Sequence, residues 1–377
     1  MEGWKHKART KDADAAIENE GAEAGRGLAE AWQREAGRVV VTALNRTIYR
    51  NSNANPSHLL HQSSIIMDCF GSDDDEDSGS ITQRDASCGI CSFHPHTEAS
   101  LITHVRNSLA LTESSILDPS IDARNVRVQR ADRVLHAIDQ FCMTRHWMMH
   151  IGPEKGDILT GSLREFIDAR MSSQPSPETS LVIVELGSYC GYSSILMAKE
   201  CLVSYGNKLD FKLITMEINP EYVSIAREMI RLSGFDDVIT ILEISYNGHD
   251  TNVVPLLQEE MKPKCNEKQQ DFSEESTIDL LFIDHDKDSY KSDLMKLEAA
   301  GFLRCGTRVI ADNVIFAQID DYLEYVKRRQ EDGVVKTTTV SCHVEYSNDE
   351  SSFVSAADEN LESFVDGIEI TDYLIDP

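Results

Sequence analysis

The sequence predicts an α/β fold: a doubly wound, mostly parallel sheet with an antiparallel closing hairpin and a largely disordered N-terminal extension. Three observations carry the prediction. From Leu181 onward, short apolar runs alternate with amphipathic segments, the pattern of a parallel sheet covered by helices on both faces. Several of those runs end abruptly in acids, as in "LLFIDHDKDSY" (280–290), and the carboxyl ends of parallel strands are where such sheets place their chemistry. Composition also changes sharply near residue 125.

Taken in order, residues 13–43 are rich in Ala and Glu and predict one helix, with Trp32, Val39, Val40 and Leu44 on its apolar side. The tracts "NSNANPSHLLHQSS" and "GSDDDEDSGS" follow; so polar a chain buries too little apolar surface to offset its ordering entropy. Residues 1–125 are therefore an extension, mostly disordered with one or two helices, and residues 126–377 are the folded domain. Val134, Leu135, Ile138 and Phe141 recur at helical spacing before Gly152 and Gly156 break the pattern. Strands are predicted at 181–186, 212–217, 238–243, 279–284 and 307–311. Helices are predicted at 191–203, 220–233, 253–262, 289–300 and 319–330. Segments 334–346 and 364–374 predict the closing hairpin, and the polar runs at 263–277 and after Glu345 predict surface insertions.

The 36 Lys and Arg against 64 Asp and Glu give a formal charge of −28. That balance speaks against nucleic acid, whose phosphates need a basic surface, and against an anionic membrane. A small cationic or neutral ligand is compatible with it. The N-terminal stretch is polar and mixed in charge, with no signal-like segment, and no apolar run nears the roughly 20 residues of a membrane helix. Nine scattered cysteines read as reduced thiols in a cytoplasmic protein. No obligate protein partner is implied.

The first sheet loop, "VIVELGSYCGYSS", places Glu185 at a strand end and Gly187 and Gly191 in a tight turn. This is not the Gly-x-Gly-x-x-Gly of dinucleotide sites; an acid at the turn suits a ligand with a cationic or amino-acid portion. A plain strand-to-helix turn is the competing reading. In "LITMEINPEY", Glu217 lies 26 residues beyond Gly191, near the spacing at which an acid reaches ribose hydroxyls. Otherwise it caps the helix opening at Pro220. Two acids at successive strand ends favour a nucleoside ligand. Asp284 and, one strand later, Asp312 and Asn313 in "VIADNVIF" bring three oxygen donors to neighbouring strand ends, a set suited to Mg²⁺. Asp-Asn also suits a plain turn, but the apolar flanks on both sides mean that these polar groups need partners.

The segments "AIDQFCMTRHWMMHIGPEKG", "VELGSYCGYSS", "TMEINPEY", "FIDHDKDSY", "IADNVI" and "VEY", in that order, resemble the catechol O-methyltransferase family of cation-dependent O-methyltransferases. The likeness spans 127–346 and resumes at "FVDGIEI" (364–370), roughly three-fifths of the chain. It implies a Rossmann-like, class I S-adenosylmethionine-dependent methyltransferase fold. It also implies methyl transfer from S-adenosylmethionine to one hydroxyl of a small-molecule catechol, with Mg²⁺. On that likeness Asp284, Asp312 and Asn313 hold the metal, Lys287 is the general base, and Glu345 holds the second hydroxyl. Glu185, Tyr189, Ser193 and the backbone near Ile151 contact the cofactor's methionine end. Met216, Glu217, Ile218, Asp284 and His285 border its remainder, and Trp147, Met149 and Lys155 gate the catechol, which Lys287, Asn313 and Glu345 also touch. Physically, a metal lowers the pKa of the hydroxyl that must lose its proton. A lysine works as a base where its ammonium form is destabilised. The sulfonium methyl is already activated, so alignment of oxygen, methyl and sulfur is the protein's main task.

The chain also departs from the family. Asp286 stands where the family has a tryptophan, and Phe316, Ala317 and Gln318 stand where it has a proline wall. The loop "LEISYNGHDTNV" is longer than the family's adenine loop, with Ser245 and Asp250 competing for its polar position. Alternative readings are therefore another vicinal-diol phenol such as a caffeoyl ester, or a binding protein that retains the nucleoside site without turnover. A dinucleotide oxidoreductase is disfavoured by the acid in the glycine loop. In the extension, Cys88, Cys91, His94 and His96 supply enough donors for zinc, but at a spacing that strains a structural site; a redox-silent tract is the default. The "DDDED" run at 73–77 reads as a self-repelling linker.

Overall fold

The computed structural model describes residues 97–112, 122–173, 179–246, 251–262, 277–346 and 365–377. The helix at 13–43, the acidic run and the Cys88/Cys91/His94/His96 group lie outside them, as do nearly all of the insertion 263–277 and the whole of 347–363. Three helices come first: α1 (Thr97–Thr112), α2 (Ala123–Thr144) and α3 (Gly152–Ser173). Then follow β1 (Thr179–Leu186), α4 (Tyr192–Tyr205), β2 (Leu209–Glu217), α5 (Pro220–Ser233), β3 (Ile239–Glu243) and α6 (Val253–Glu260). The chain continues through β4 (Leu280–Ile283), α7 (Tyr290–Ala299), β5 (Arg308–Ala311) and α8 (Asp320–Glu331), and ends in β6 (Val335–His343) and β7 (Val365–Tyr373).

Every strand and helix predicted between residues 181 and 374 is present within a few residues of its predicted bounds. The boundaries follow local chemistry. Asp122 caps α2 by accepting from the Asn125 N–H at 2.9 Å. Asn219 caps α5 with Pro220 at its first position, and Gly234, at φ 82°, ends it; both are standard stop and start devices.

The strands form one seven-stranded sheet in the order β3-β2-β1-β4-β5-β7-β6. β1 to β5 are parallel, while β7 runs antiparallel to both β5 and β6. The parallel strands read as unbroken apolar runs because both faces are covered. Along β4, Leu280 and Phe282 pack with α1, α2, α4 and α5 on one side. Leu281 and Ile283 pack with α6, α7 and α8 on the other, the two-residue period of a strand. The strand order reverses at the β1/β4 junction, which opens a crevice at their carboxyl ends.

The structure adds one element ahead of the compositional boundary at 126. Helix α1 buries Leu101 and Val105 completely in the same core as Phe141 of α2, and Arg106 pairs with Glu228 of α5 at 3.1 Å. Its apolar residues, Leu101, Ile102, Val105 and Leu109, form a helical stripe that averaging over a polar N-terminal third conceals.

Candidate active site

The β1–α4 turn is built by close approach. A Cβ on Gly187, at φ +97°, would lie 2.2 Å from the Asp284 carbonyl oxygen, so only glycine lets β1 and β4 end side by side. Gly191, at φ +85°, starts α4. Glu185, fully buried, accepts from the Ser193, Ser194 and Thr215 hydroxyls. Burial pushes its carboxyl up, and the three hydroxyls draw it partly back. Tyr189 takes φ 45°. Its N–H donates to Glu217 Oε2 at 2.8 Å and its hydroxyl to Glu98 Oε1 of α1 at 2.8 Å.

Glu217 does more than cap α5, whose cap is Asn219. Its carboxylate collects the N–H groups of Tyr189, Ile218 and Asn219, tying the ends of β1 and β2 together. Met216 beside it is fully buried, and Ile218 is exposed at the rim. His285 stacks on Tyr290, 5.2 Å between centroids at 7°, and bonds through Nε2 to Asp293 Oδ2 at 2.9 Å. Its Nδ1 is buried with no hydrogen-bond partner.

Asp284 and Asp312 follow β4 and β5 in register, one residue past the Ile283–Ala311 pair, so their backbones sit about 4.8 Å apart. Lys287 Nζ donates to Asp284 Oδ1 at 2.7 Å and to the Tyr290 hydroxyl at 2.7 Å, and that hydroxyl donates to the Asp312 carbonyl at 3.2 Å. Asp286, the residue standing in the family's tryptophan position, accepts from the Ser289 hydroxyl at 2.6 Å and caps the one-turn helix Lys287–Ser289. It shapes the turn that carries Lys287.

Lys155, expected at the substrate gate, lies at the floor of the site: its side chain is 1% exposed, with Nζ 3.0 Å from Asp312 Oδ1, 2.6 Å from Glu345 Oε1 and 2.6 Å from Asp366 Oδ2. Burial opposes its charge, but these three carboxylates outweigh it and hold the ammonium well above the usual lysine range. Asp312, Glu345 and Asp366 lie close enough together to hold a metal ion, yet the Lys155 ammonium already sits among them. The other two expected gate residues, Trp147 and Met149, are half-buried, and Trp147 Nε1 donates to the Glu345 carbonyl at 3.0 Å. A cavity of about 360 Å³ opens here, lined by Ile151, Gly152, Glu154, Lys155, His343 and Glu345 among others. That volume is within the range of small-ligand sites.

The donor set fits a divalent cation on the far side of Asp312 from Lys155. Asp312 is fully buried, and its Oδ2 has no hydrogen-bond partner. Asn313, held at φ 57°, directs its amide nitrogen to Glu345 Oε1 and Asp366 Oδ2, both at 2.9 Å; its carbonyl oxygen is thereby left to accept or ligate. Ionised, the four carboxylates of Asp284, Asp312, Glu345 and Asp366 exceed the two lysines by two charges, the charge of one Mg²⁺. Burial pushes the Asp312 carboxyl up to about 7, with Lys155 pulling it down and the neighbouring acids raising it. The donor set fits a cofactor as well, since Ser188 Oγ, His150 Nε2 and His285 Nδ1 are all buried without partners around the same crevice.

A pH dependence follows from Glu217. Burial pushes its carboxyl up to about 7 against its three N–H donors; on the family likeness, which gives Glu217 the ribose hydroxyls, the ionised form is the better acceptor, because protonation turns one oxygen into a donor. Affinity for S-adenosylhomocysteine is therefore expected to fall as pH drops through 7, by up to about tenfold per unit. Calorimetry between pH 6 and 8 reads this directly. Glu217→Gln should flatten the profile, and a wild-type profile already flat over that range would refute the assignment.

Sheet order, glycine turn and acid-bearing strand ends together define a Rossmann-like O-methyltransferase domain. The O-methyltransferase family matches residues 178–320. The catechol O-methyltransferase of Bos taurus is 36% identical over 194 residues, covering 52% of this chain and 59% of that protein. Catechol O-methyltransferase B of Danio rerio is 35% identical over 243 residues, 64% of this chain and 78% of that one. The solved O-methyltransferase from Bacillus cereus in complex with SAH aligns with a TM-score of 0.40 at 16% identity, over 72% of this chain and 99% of that one. The chain belongs to the catechol O-methyltransferase family. It spans less than two thirds of the bovine relative's length. No helix among the described residues is long and apolar enough to cross a membrane.

Sequence reasoning missed several residues of the site. Asp366 saturates its carboxylate on Lys155, Asn313 and the Phe316 and Gly367 N–H groups; the only signal was a lone acid before glycine in the apolar run "FVDGIEI". Glu98 and His150 carried no local signal, because their partners lie on distant elements.

Proposed function

We propose that the protein is a cation-dependent catechol O-methyltransferase using S-adenosylmethionine. The observation that carries this reading is the unpartnered Asp312 Oδ2, followed by Asn313 with its amide nitrogen turned to Glu345 and Asp366, next to Asp284 and Lys287. Bound there, Mg²⁺ supplies Lewis acidity toward two vicinal hydroxyls and S-adenosylmethionine supplies an activated methyl. Asp284, Asp312 and Asn313 hold the metal. Lys287 Nζ takes the proton of the reacting hydroxyl, and Glu345 accepts the hydrogen bond of the other. Glu345 is oriented for this because Lys155 and Asn313 occupy its Oε1 and Trp147 its carbonyl. Glu185 faces the cofactor's ammonium, with Tyr189, Ser193 and the Ile151 backbone at the same end. Glu217 takes the ribose, with Met216, Ile218 and His285 around it. Trp147 and Met149 stand at the catechol's edge, where Phe316 is available for the ring contact that the missing proline wall leaves open. The catalytic unit on this reading begins at α1, since Glu98 reaches Tyr189. A cytoplasmic location belongs to the same reading, supported by the free thiols of Cys142, Cys190, Cys201 and Cys342 in the core; cell fractionation tests it.

The deciding experiment is transfer of labelled methyl from S-adenosylmethionine to a panel of catechols and caffeoyl esters. Product is expected with Mg²⁺ and is expected to disappear with a chelator or in Asp312→Ala. Product formation that a chelator leaves untouched would sink the metal-dependent reading. Cofactor binding with no product from any diol would support a binding protein instead.

A further inference from the structure

His150 ends the loop that leads into α3. It is 3% exposed, and its Nε2 has no hydrogen-bond partner. A buried polar atom without a partner carries a free-energy cost, so the fold retains this ring in a setting that apolar packing does not explain. Its position is tightly held. The His150 N–H closes a short turn onto the Met148 carbonyl at 2.8 Å. Its ring packs at 5.0 Å from that of Tyr189 and 5.7 Å from that of Tyr192. Those two tyrosines belong to the glycine turn and the start of α4, the cofactor end of the sheet.

Three further observations describe what belongs beside it. The next two residues, Ile151 and Gly152, line the cavity, and Gly152 is the first residue of the 22-residue helix α3. The first-turn N–H groups of such a helix have no intrahelical partner and carry partial positive charge. In the glycine turn between β1 and α4, Ser188 Oγ is also buried and unpartnered, whereas the Ser193 hydroxyl is already committed to Glu185. This corner therefore offers neutral donors and a helix N-terminus, while Glu185 supplies the acid. An α-amino acid group matches it, with its ammonium toward the acid and its carboxylate toward the donors.

We propose that His150 donates its Nε2–H to the α-carboxylate of S-adenosylmethionine at the N-terminus of α3. The assignment rests on the cofactor reading above. Burial pushes the imidazole down to about 3, so the ring is neutral near pH 7 and donates without burying a charge when the site is empty.

The test is calorimetric titration of wild type, His150→Phe and His150→Asn with two compounds, without catechol or turnover. One is S-adenosylhomocysteine; the other is its decarboxylated analogue, S-adenosyl-3-thiopropylamine. His150→Phe keeps an aromatic ring and removes the donor, so S-adenosylhomocysteine should bind about 10-fold more weakly or worse, the size of a hydrogen bond to a charged group. The analogue should bind both proteins within about twofold, a difference below the energy of one hydrogen bond. His150→Asn, which restores an N–H donor, should recover part of the loss. Equal weakening for both compounds would mean that His150 only supports the turn, and no weakening for either would mean that it touches nothing; both outcomes overturn the assignment. Wild type that binds neither compound overturns the cofactor reading itself, and this assignment with it.

Discussion

Lys287→Ala is expected to lower methyl transfer by about two to four orders of magnitude, the usual contribution of a positioned general base, while S-adenosylhomocysteine still binds. The lysine sits on the one-turn helix that Asp286 caps, 2.7 Å from Asp284 Oδ1 and 2.7 Å from the Tyr290 hydroxyl. Removing it also strips Asp284 of a cation, so alanine alone does not separate base from counterion. Lys287→Arg does. It retains the positive charge, but a guanidinium stays protonated and cannot accept the substrate's proton. Both variants should be nearly inactive, with the arginine variant close to wild type in melting temperature. Single-turnover rates read the chemical step. If either variant keeps more than a tenth of wild-type activity, the proton is going elsewhere.

Lys155→Met is expected to damage the fold before it damages anything else. Methionine fills a similar volume but leaves Asp312, Glu345 and Asp366 facing one another without the ammonium that all three now contact. Removing one partner of a buried ion cluster costs about 3–5 kcal/mol, or on the order of 10 °C in melting temperature for a domain of this size. The sign with pH is also set. Asp312 already has its carboxyl raised to about 7 by burial, with Lys155 pulling it down, and losing Lys155 raises it further. Its folded-state pKa then lies above the unfolded one, so stability is lost as pH rises through that interval. The variant should therefore be weaker at pH 8 than at pH 6 by thermal denaturation. A melting temperature within about 2 °C of wild type at pH 8, less than 1 kcal/mol on the same scale, would show that the acids are not held by this lysine.

The two variants separate what neighbouring lysines do with neighbouring acids. Lys287 is partly exposed on a turn that shares the crevice with the reacting groups. Lys155 is enclosed, and its contribution is to let three carboxylates converge without unfolding the strand ends. The family likeness places both at the substrate; the ion pairs of Lys155 add a second role, holding the acids beneath the cavity that it lines.

Much of this protein was legible before any tertiary contact was known. Unbroken apolar runs separated by helical patterns predicted β1 to β5 and their helices, because a strand buried on both faces must be apolar throughout. Gly187 and the acids Glu185, Glu217, Asp284 and Asp312 marked the candidate site because strand ends in such a sheet converge at the reversal of strand order. These features are encoded within a few residues of one another, so local chemistry reveals them. The placement of Glu98, His150 and Asp366 was decided only by packing. Glu98 matters because Tyr189 lies 91 positions away in sequence and 2.8 Å away in space. Asp366 matters because β7 enters the sheet antiparallel between β5 and β6, which delivers its carboxylate to Lys155, 211 positions earlier. A side chain's burial and its partner are properties of the closed fold, and no spacing along the chain carries that information.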